Sequence, residues 1–140
     1  DGLMINRSNV DCVNCEALKE TADGFGIANQ GQGNFYNCHS HHNYDDGISH
    51  HDGSIGFVDG GYFHHNGKGG IASPYSGSNV NVKNAICEAN AYGIYAGMGL
   101  DVCMICNCVL KDNTTSGILN VGYNPLYVFN CIFSGNTVYG

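Results

Sequence analysis

The chain has no tryptophan, only 2 prolines, and only 5 basic residues against 12 acidic ones in 140 positions. A formal charge of −7 with no basic stripe excludes a nucleic-acid backbone as partner. Charged residues make up 12% of the chain, well under the usual quarter. No apolar run approaches the roughly 18 residues of a membrane helix, so no membrane insertion is expected. No signal peptide opens the sequence. One domain over residues 1–140 is expected from the length. Its limits coincide with repeat boundaries, so it reads as a segment of a longer protein. In place of what is scarce stand 21 glycines with abundant asparagine and tyrosine, a composition of tight turns and flat polar surfaces.

Those residues repeat. Gly2, Gly24, Gly47, Gly70, Gly93, Gly117 and Gly140 are spaced by 22 to 24 residues, and the first six are followed by Leu3, Phe25, Ile48, Ile71, Ile94 and Ile118. A second column holds Asn14, Asn37, Gly60, Asn84, Asn107 and Asn130, and a third holds Glu20, Asn43, Asn66, Asn90, Asn113 and Asn136. Columns that keep register over six units indicate a solenoid. Within each unit apolar and polar residues alternate over short runs, as in strands with one buried face, and no unit has room for a normal helix. Leucine-rich repeats share the period, but L-x-x-L-x-L is missing. The fold class expected is all-β, a single-stranded parallel β-helix of about six coils of 22–24 residues. Glycine and asparagine then serve corners that need left-handed backbone angles. The asparagine columns bond along the coil axis.

Ile5, Ile27 and His50 share an inward slot that later coils fill with Ser73, Ala96 and Asn120. Leu3, Val10, Cys12, Phe25, Phe35, Cys38, Val80, Val82, Ile86, Val102, Ile105, Leu110, Leu126, Val128 and Phe133 are the expected core. Cys15, Cys38, Cys108 and Cys131 share one column with Gly61 and Ala85, a small slot suited to buried thiols. Bridges between Cys15 and Cys38 or Cys108 and Cys131 are the alternative, since these pairs lie on adjacent coils. The two C-x-x-C pairs, Cys12/Cys15 and Cys103/Cys106, lie four coils apart, which disfavours a structural zinc.

The whole chain resembles the right-handed parallel β-helices of the pectate-lyase-like superfamily, and the handedness is implied by that resemblance. Asp23-Gly24-Phe25 and Asp45-Asp46-Gly47-Ile48 are similar to the aspartate motifs of polygalacturonases. The resemblance implies Asp45 as general acid, with Asp23 and Asp46 holding the attacking water. The chain departs from that family in having Lys68-Gly69-Gly70 where a Gly-His-Gly is expected, and no basic substrate clamp at Gly93-Ile94-Tyr95. Stacked carboxylates about 5 Å apart split their pKa values, as glycoside hydrolysis requires. The bland alternative is turn chemistry, an aspartate closing the corner before each glycine. Lyase chemistry is disfavoured because Arg7 and the four lysines are scattered. Epimerases of this fold, which use His and Tyr near an Asp, are a further alternative.

Residues 37–52 carry five of the seven histidines. Stacking by one period sets His41 against His64, His42 against His65, and His39 against Tyr62 with Glu16 on the other side. With Tyr44, His50, His51 and Lys68 this surface is expected to bind substrate. The expected partner is a polysaccharide or cell-surface glycan, met outside the cell, at a cell surface or on a virion, as in tailspikes. Alternatives are a non-catalytic stalk, fibre or adhesin, and a metal-binding β-helix using His41, His64 and Asp45. No cofactor is expected in the first two readings, and a divalent metal in the third. Uncapped solenoid ends point to a homotrimer or an end-to-end fibre.

Overall fold

Burying one apolar residue every 22–24 positions requires the chain to close a turn at each repeat, and it does so with three short strands per turn. The structure, a computed structural model, describes residues 1–75, 77–97, 103–123 and 125–137. The expected core residue Val102 and the repeat glycine Gly140 lie outside the described residues.

The first rung contains β1 (Leu3–Asn6), β2 (Asn9–Val13) and β3 (Glu16–Leu18), and the second β4 (Phe25–Ala28), β5 (Gln32–Tyr36) and β6 (His39–His41). The third contains β7 (Ile48–His50), β8 (Ile55–Asp59) and β9 (Tyr62–His64), and the fourth β10 (Gly69–Ser73), β11 (Asn79–Lys83) and β12 (Ile86–Glu88). β13 (Tyr92–Ala96), β14 (Cys103–Cys106) and β15 (Val109–Lys111) make the fifth, and β16 (Ser116–Asn120), β17 (Leu126–Phe129) and β18 (Ile132–Ser134) the sixth. First strands stack into sheet A, second strands into sheet B and third strands into sheet C, each sheet of six strands and every pairing parallel. Six rungs are joined by five steps, so the chain rises through about five turns, where the columns led to an expectation of about six coils. The described residues include no helix, and so none long and apolar enough to cross a membrane.

The corners follow the columns. Asn14, Asn37, Asn84, Asn107 and Asn130 take φ between 49° and 56°, and Gly60 takes 74°. Asparagine tolerates this left-handed region at low cost, and glycine at none. The third column forms a buried amide ladder. Asn43 Nδ2 donates to Asn66 Oδ1 (2.9 Å), Asn66 Nδ2 to Asn90 Oδ1 (3.1 Å), and Asn113 Nδ2 to Asn136 Oδ1 (2.9 Å). Each Oδ1 also accepts the backbone N–H of the preceding rung, so one amide satisfies two otherwise orphaned donors.

Ile27, Phe35, Ile48, Phe63, Ile71, Ile94, Ile105 and Leu110 fill the interior with no exposure at all. All eight cysteines are free, and Cys12, Cys38, Cys87 and Cys108 are buried among these side chains. Four expected core residues are more than a third exposed: Leu3, Ile86, Val128 and Phe133. In β12 the inward residue is Cys87, which puts Ile86 outside. Leu3 pairs with buried Phe25, Val128 with Ile105 and Phe133 with Leu110. These three occupy inward columns, but each lies in a sheet's terminal strand and is packed from one side only.

Candidate functional site

The corner leading from sheet C into sheet A carries the aspartates. Asp1 Oδ1 accepts the backbone N–H of Asp23 (3.3 Å), Asp23 Oδ1 that of Asp46 (3.1 Å), and Asp46 Oδ1 that of Gly69 (2.6 Å). The column therefore caps the second, third and fourth rungs, each from the one below, an inter-rung form of the turn chemistry expected for Asp-Gly. One oxygen from each of Asp23, Asp45 and Asp46 lies within 4.8 Å of the other two.

Their surroundings differ sharply. Asp46 is 5% exposed and accepts one further bond, from Ser49 Oγ at 3.1 Å. Burial raises its pKa from 3.8 to about 7, aided by the charges of Asp23 and Asp45 and opposed by the Gly69 N–H. Asp23 Oδ2 meets His51 Nε2 at 3.3 Å, and this bond holds the His51 imidazolium above its ordinary range. Asp45 Oδ2 pairs with Lys68 Nζ at 2.8 Å, which raises the lysine pKa, while Asp45 Oδ1 is buried with no hydrogen-bond partner among the described residues. Tyr75 packs on the His51 ring with centroids 5.0 Å apart. Among the described residues the cluster thus holds a carboxyl that keeps a proton near neutrality, two carboxyl groups bonded to basic side chains, and one aromatic side chain. Ser49 and Tyr75 were not singled out from sequence. Ser49 follows a repeat glycine by two positions and so faces outward beside Asp46, a signal the columns contain. Tyr75 lies in a corner with no repeating partner.

The outer face of sheet C carries the other histidines. His39 pairs in register with Tyr62 and His41 with His64, and the rings stack at 5.5 Å and 4.7 Å between centroids. His42 lies parallel to His65 at 5.1 Å. Glu16 Oε1 meets His41 Nε2 at 2.9 Å and His39 Nδ1 at 3.5 Å. The Tyr62 hydroxyl donates to Glu88 Oε2, which pushes the phenol up to about 12. Burial first, and then the neighbouring imidazoles, lower His64 to about 4. His42, Tyr44, His65 and Lys68 line a shallow open depression at the corner between this face and the aspartates.

The sixteen-residue stretch therefore divides among three environments. His39 and His41 belong to sheet C, and His51 belongs to the aspartate cluster. His50 points into the core with no exposure and no partner among the described residues for either ring nitrogen, and burial lowers it to about 3. Of the expected metal set, His41 and His64 come together with His39, while Asp45 lies with Asp23 and Asp46.

The profile of a family described as a right handed beta helix region matches residues 1–140. Two solved structures share the fold. The periplasmic alginate epimerase AlgG superposes with a TM-score of 0.77 at 14% identity, over 94% of this chain and 35% of that one. The A-module of the Azotobacter vinelandii mannuronan C-5 epimerase AlgE6 superposes with a TM-score of 0.52 at 14% identity, over 93% of this chain and 57% of that one. The chain thus spans well under two thirds of either protein. No curated protein matches the sequence.

Proposed function

The chain belongs to the right-handed beta helix region family, and on that premise we propose that it recognises a polysaccharide along the aspartate face and cleaves it by hydrolysis. The observation that carries this reading is the Asp46 carboxyl, raised to about 7 while its neighbours Asp23 and Asp45 bond to His51 and Lys68. Carboxyl groups pushed apart in this way divide into acid and base. Asp46 donates its proton to the bridging oxygen as the glycosidic C–O bond breaks. Water adds to the anomeric carbon and passes its proton to Asp45, whose Oδ1 has no hydrogen-bond partner among the described residues. His51, Tyr75, Tyr44 and Lys68 border this chemistry and bind the flanking sugar hydroxyl groups and ring faces. The two structural neighbours are named for alginate and mannuronan, and one for the periplasm, which supports a glycan substrate met outside the cytoplasm.

A second reading, a non-catalytic rod, is favoured by the backbone N–H bonds that the Asp23 and Asp46 Oδ1 atoms already accept. Reducing-end release from alginate, pectate and neutral polysaccharides separates the two. Hydrolysis predicts release that falls about 100-fold or more in both Asp45→Asn and Asp46→Asn and is indifferent to EDTA. No release from any glycan by folded protein would leave the rod as the better account. Unsaturated product ends would replace hydrolysis with elimination.

A further inference from the structure

The histidine face of sheet C carries its own chemistry, independent of the glycan reading. His39 and His41 stand two residues apart on β6, so both imidazoles leave the same face of the sheet. His64 on β9 lies directly opposite His41 on the next rung. One ring nitrogen from each of the three lies within 4.8 Å of the other two.

The nitrogens face each other in a way that ordinary ring stacking does not require. His39 Nε2 and His64 Nε2 are 2.8 Å apart. Without an ion, such a pair must share one proton. With an ion between them, both lone pairs are used. Zinc–nitrogen bonds of about 2.0–2.1 Å in a tetrahedron separate two nitrogens by roughly 3.3 Å, an opening of about half an ångström from the present contact. Glu16 brings a carboxylate oxygen from the rung below to 2.9 Å from His41 Nε2.

The outer support is built the same way on two rungs. His41 Nδ1 meets His42 Nδ1 at 2.8 Å, and His64 Nδ1 meets His65 Nδ1 at 2.7 Å. The supporting rings are themselves parallel to within 3°. A partner on the second ring nitrogen fixes the orientation of a metal-binding imidazole. Tyr62 does similar work for His39, lying within 9° of its plane. The His41 side chain is 13% exposed and that of His39 38%, so the group is walled on the sheet side and open to solvent on the other.

We propose that His39, His41 and His64 bind one divalent transition-metal ion of the zinc class, with Glu16 as the fourth ligand. Three imidazoles with one carboxylate suit zinc over calcium or magnesium, which prefer all-oxygen shells. The ion would join the second and third rungs on the outside, replacing the single His39–His64 nitrogen contact with bonds to one centre.

The test uses untagged protein, stripped with chelator and dialysed against zinc, with bound metal measured by atomic absorption and affinity by calorimetry. Cobalt substitution adds a visible spectrum that reports tetrahedral coordination. The expected result is one zinc per chain, with affinity reduced about 100-fold or more by His39→Ala or His64→Ala. Glu16→Gln weakens binding by less, and His51→Ala, on sheet A's corner, leaves it unchanged. Circular dichroism confirms that each variant keeps its β-spectrum, as expected for outward-facing side chains. Failure of stripped wild type to retain zinc, or equal loss in His51→Ala and His64→Ala, overturns the assignment. Neither result bears on glycan cleavage, which is read at the aspartates.

Discussion

Asn66→Ala is expected to destabilise the protein by about 3–6 kcal/mol, measured as the shift of the urea midpoint at constant slope. The Asn66 side chain makes four hydrogen bonds at once. Its Oδ1 accepts from the Asn43 backbone N–H (3.2 Å) and from Asn43 Nδ2 (2.9 Å). Its Nδ2 donates to the Ser40 carbonyl and the Asn90 Oδ1, each at 3.1 Å. Alanine leaves the Asn43 N–H without its partner inside the coil and takes one bond each from the Asn43 amide, the Asn90 amide and the Ser40 carbonyl, and an orphaned buried group costs about 1–3 kcal/mol. Against a typical total of about 5–15 kcal/mol this is a large fraction. Asn34→Ala is the control, because its Nδ2 bonds Asp11 Oδ1 on the exposed face of sheet B. Its loss should stay under about 1 kcal/mol. Equal losses in the two variants would show that the internal ladder adds nothing beyond an ordinary surface contact.

The second large effect is a pH-dependent stability difference between wild type and Asp46→Asn. The folded protein holds the Asp46 proton up to about pH 7, whereas an ordinary aspartate releases it near 3.8. The folded pKa is raised, so the contribution is full below about pH 4 and is lost as pH climbs through 7. The gap between the two values corresponds to about 4 kcal/mol as an upper figure. An asparagine keeps the acceptor for the Gly69 N–H and never ionises. The variant should match wild type at pH 4 and exceed it by up to about 4 kcal/mol at pH 8. Other groups titrate in this window, in both directions. His51 is raised by Asp23 and loses its contribution with rising pH, whereas His50 and His64, lowered by burial to about 3 and 4, lose theirs as pH falls. Subtracting the two stability curves largely removes these terms. A difference that stays flat between pH 4 and 8 would contradict a protonated Asp46.

What the sequence disclosed, and what it withheld, have physical causes. Period and columns follow from side chains that occupy equivalent places on successive rungs, so the glycine, the left-handed asparagines and the amide ladder were all readable from residue identity alone. Stacking partners one period apart, His41 with His64 and His39 with Tyr62, were readable for the same reason. Separation between neighbours in the chain was not. His50 was given both an inward slot and a place on the binding surface, and it is the fold, burying His50 while leaving His42 eight residues earlier exposed, that chooses between them. Phe133 and Val128 were assigned inward columns correctly, but a column does not say whether a further rung covers its last member. Ile86 and Cys87 are both apolar neighbours on a three-residue strand, so alternation could not choose between them. The different environments of Asp45 and Asp46 arise from burial and from Lys68 one rung on, neither of which is written in the Asp-Asp pair itself.

The most direct measurement is the pH profile of kcat/KM for glycan cleavage, followed by reducing ends, in wild type and Asp46→Asn. A free-enzyme acid titrating near 7 predicts a wild-type rate that is level below about pH 6 on this limb. Above about pH 7 it should fall roughly tenfold per pH unit, and the limb should disappear with the activity in the variant. A wild-type rate that holds level to about pH 9, or an Asp46→Asn protein that cleaves as fast as wild type, would contradict Asp46 as the proton donor.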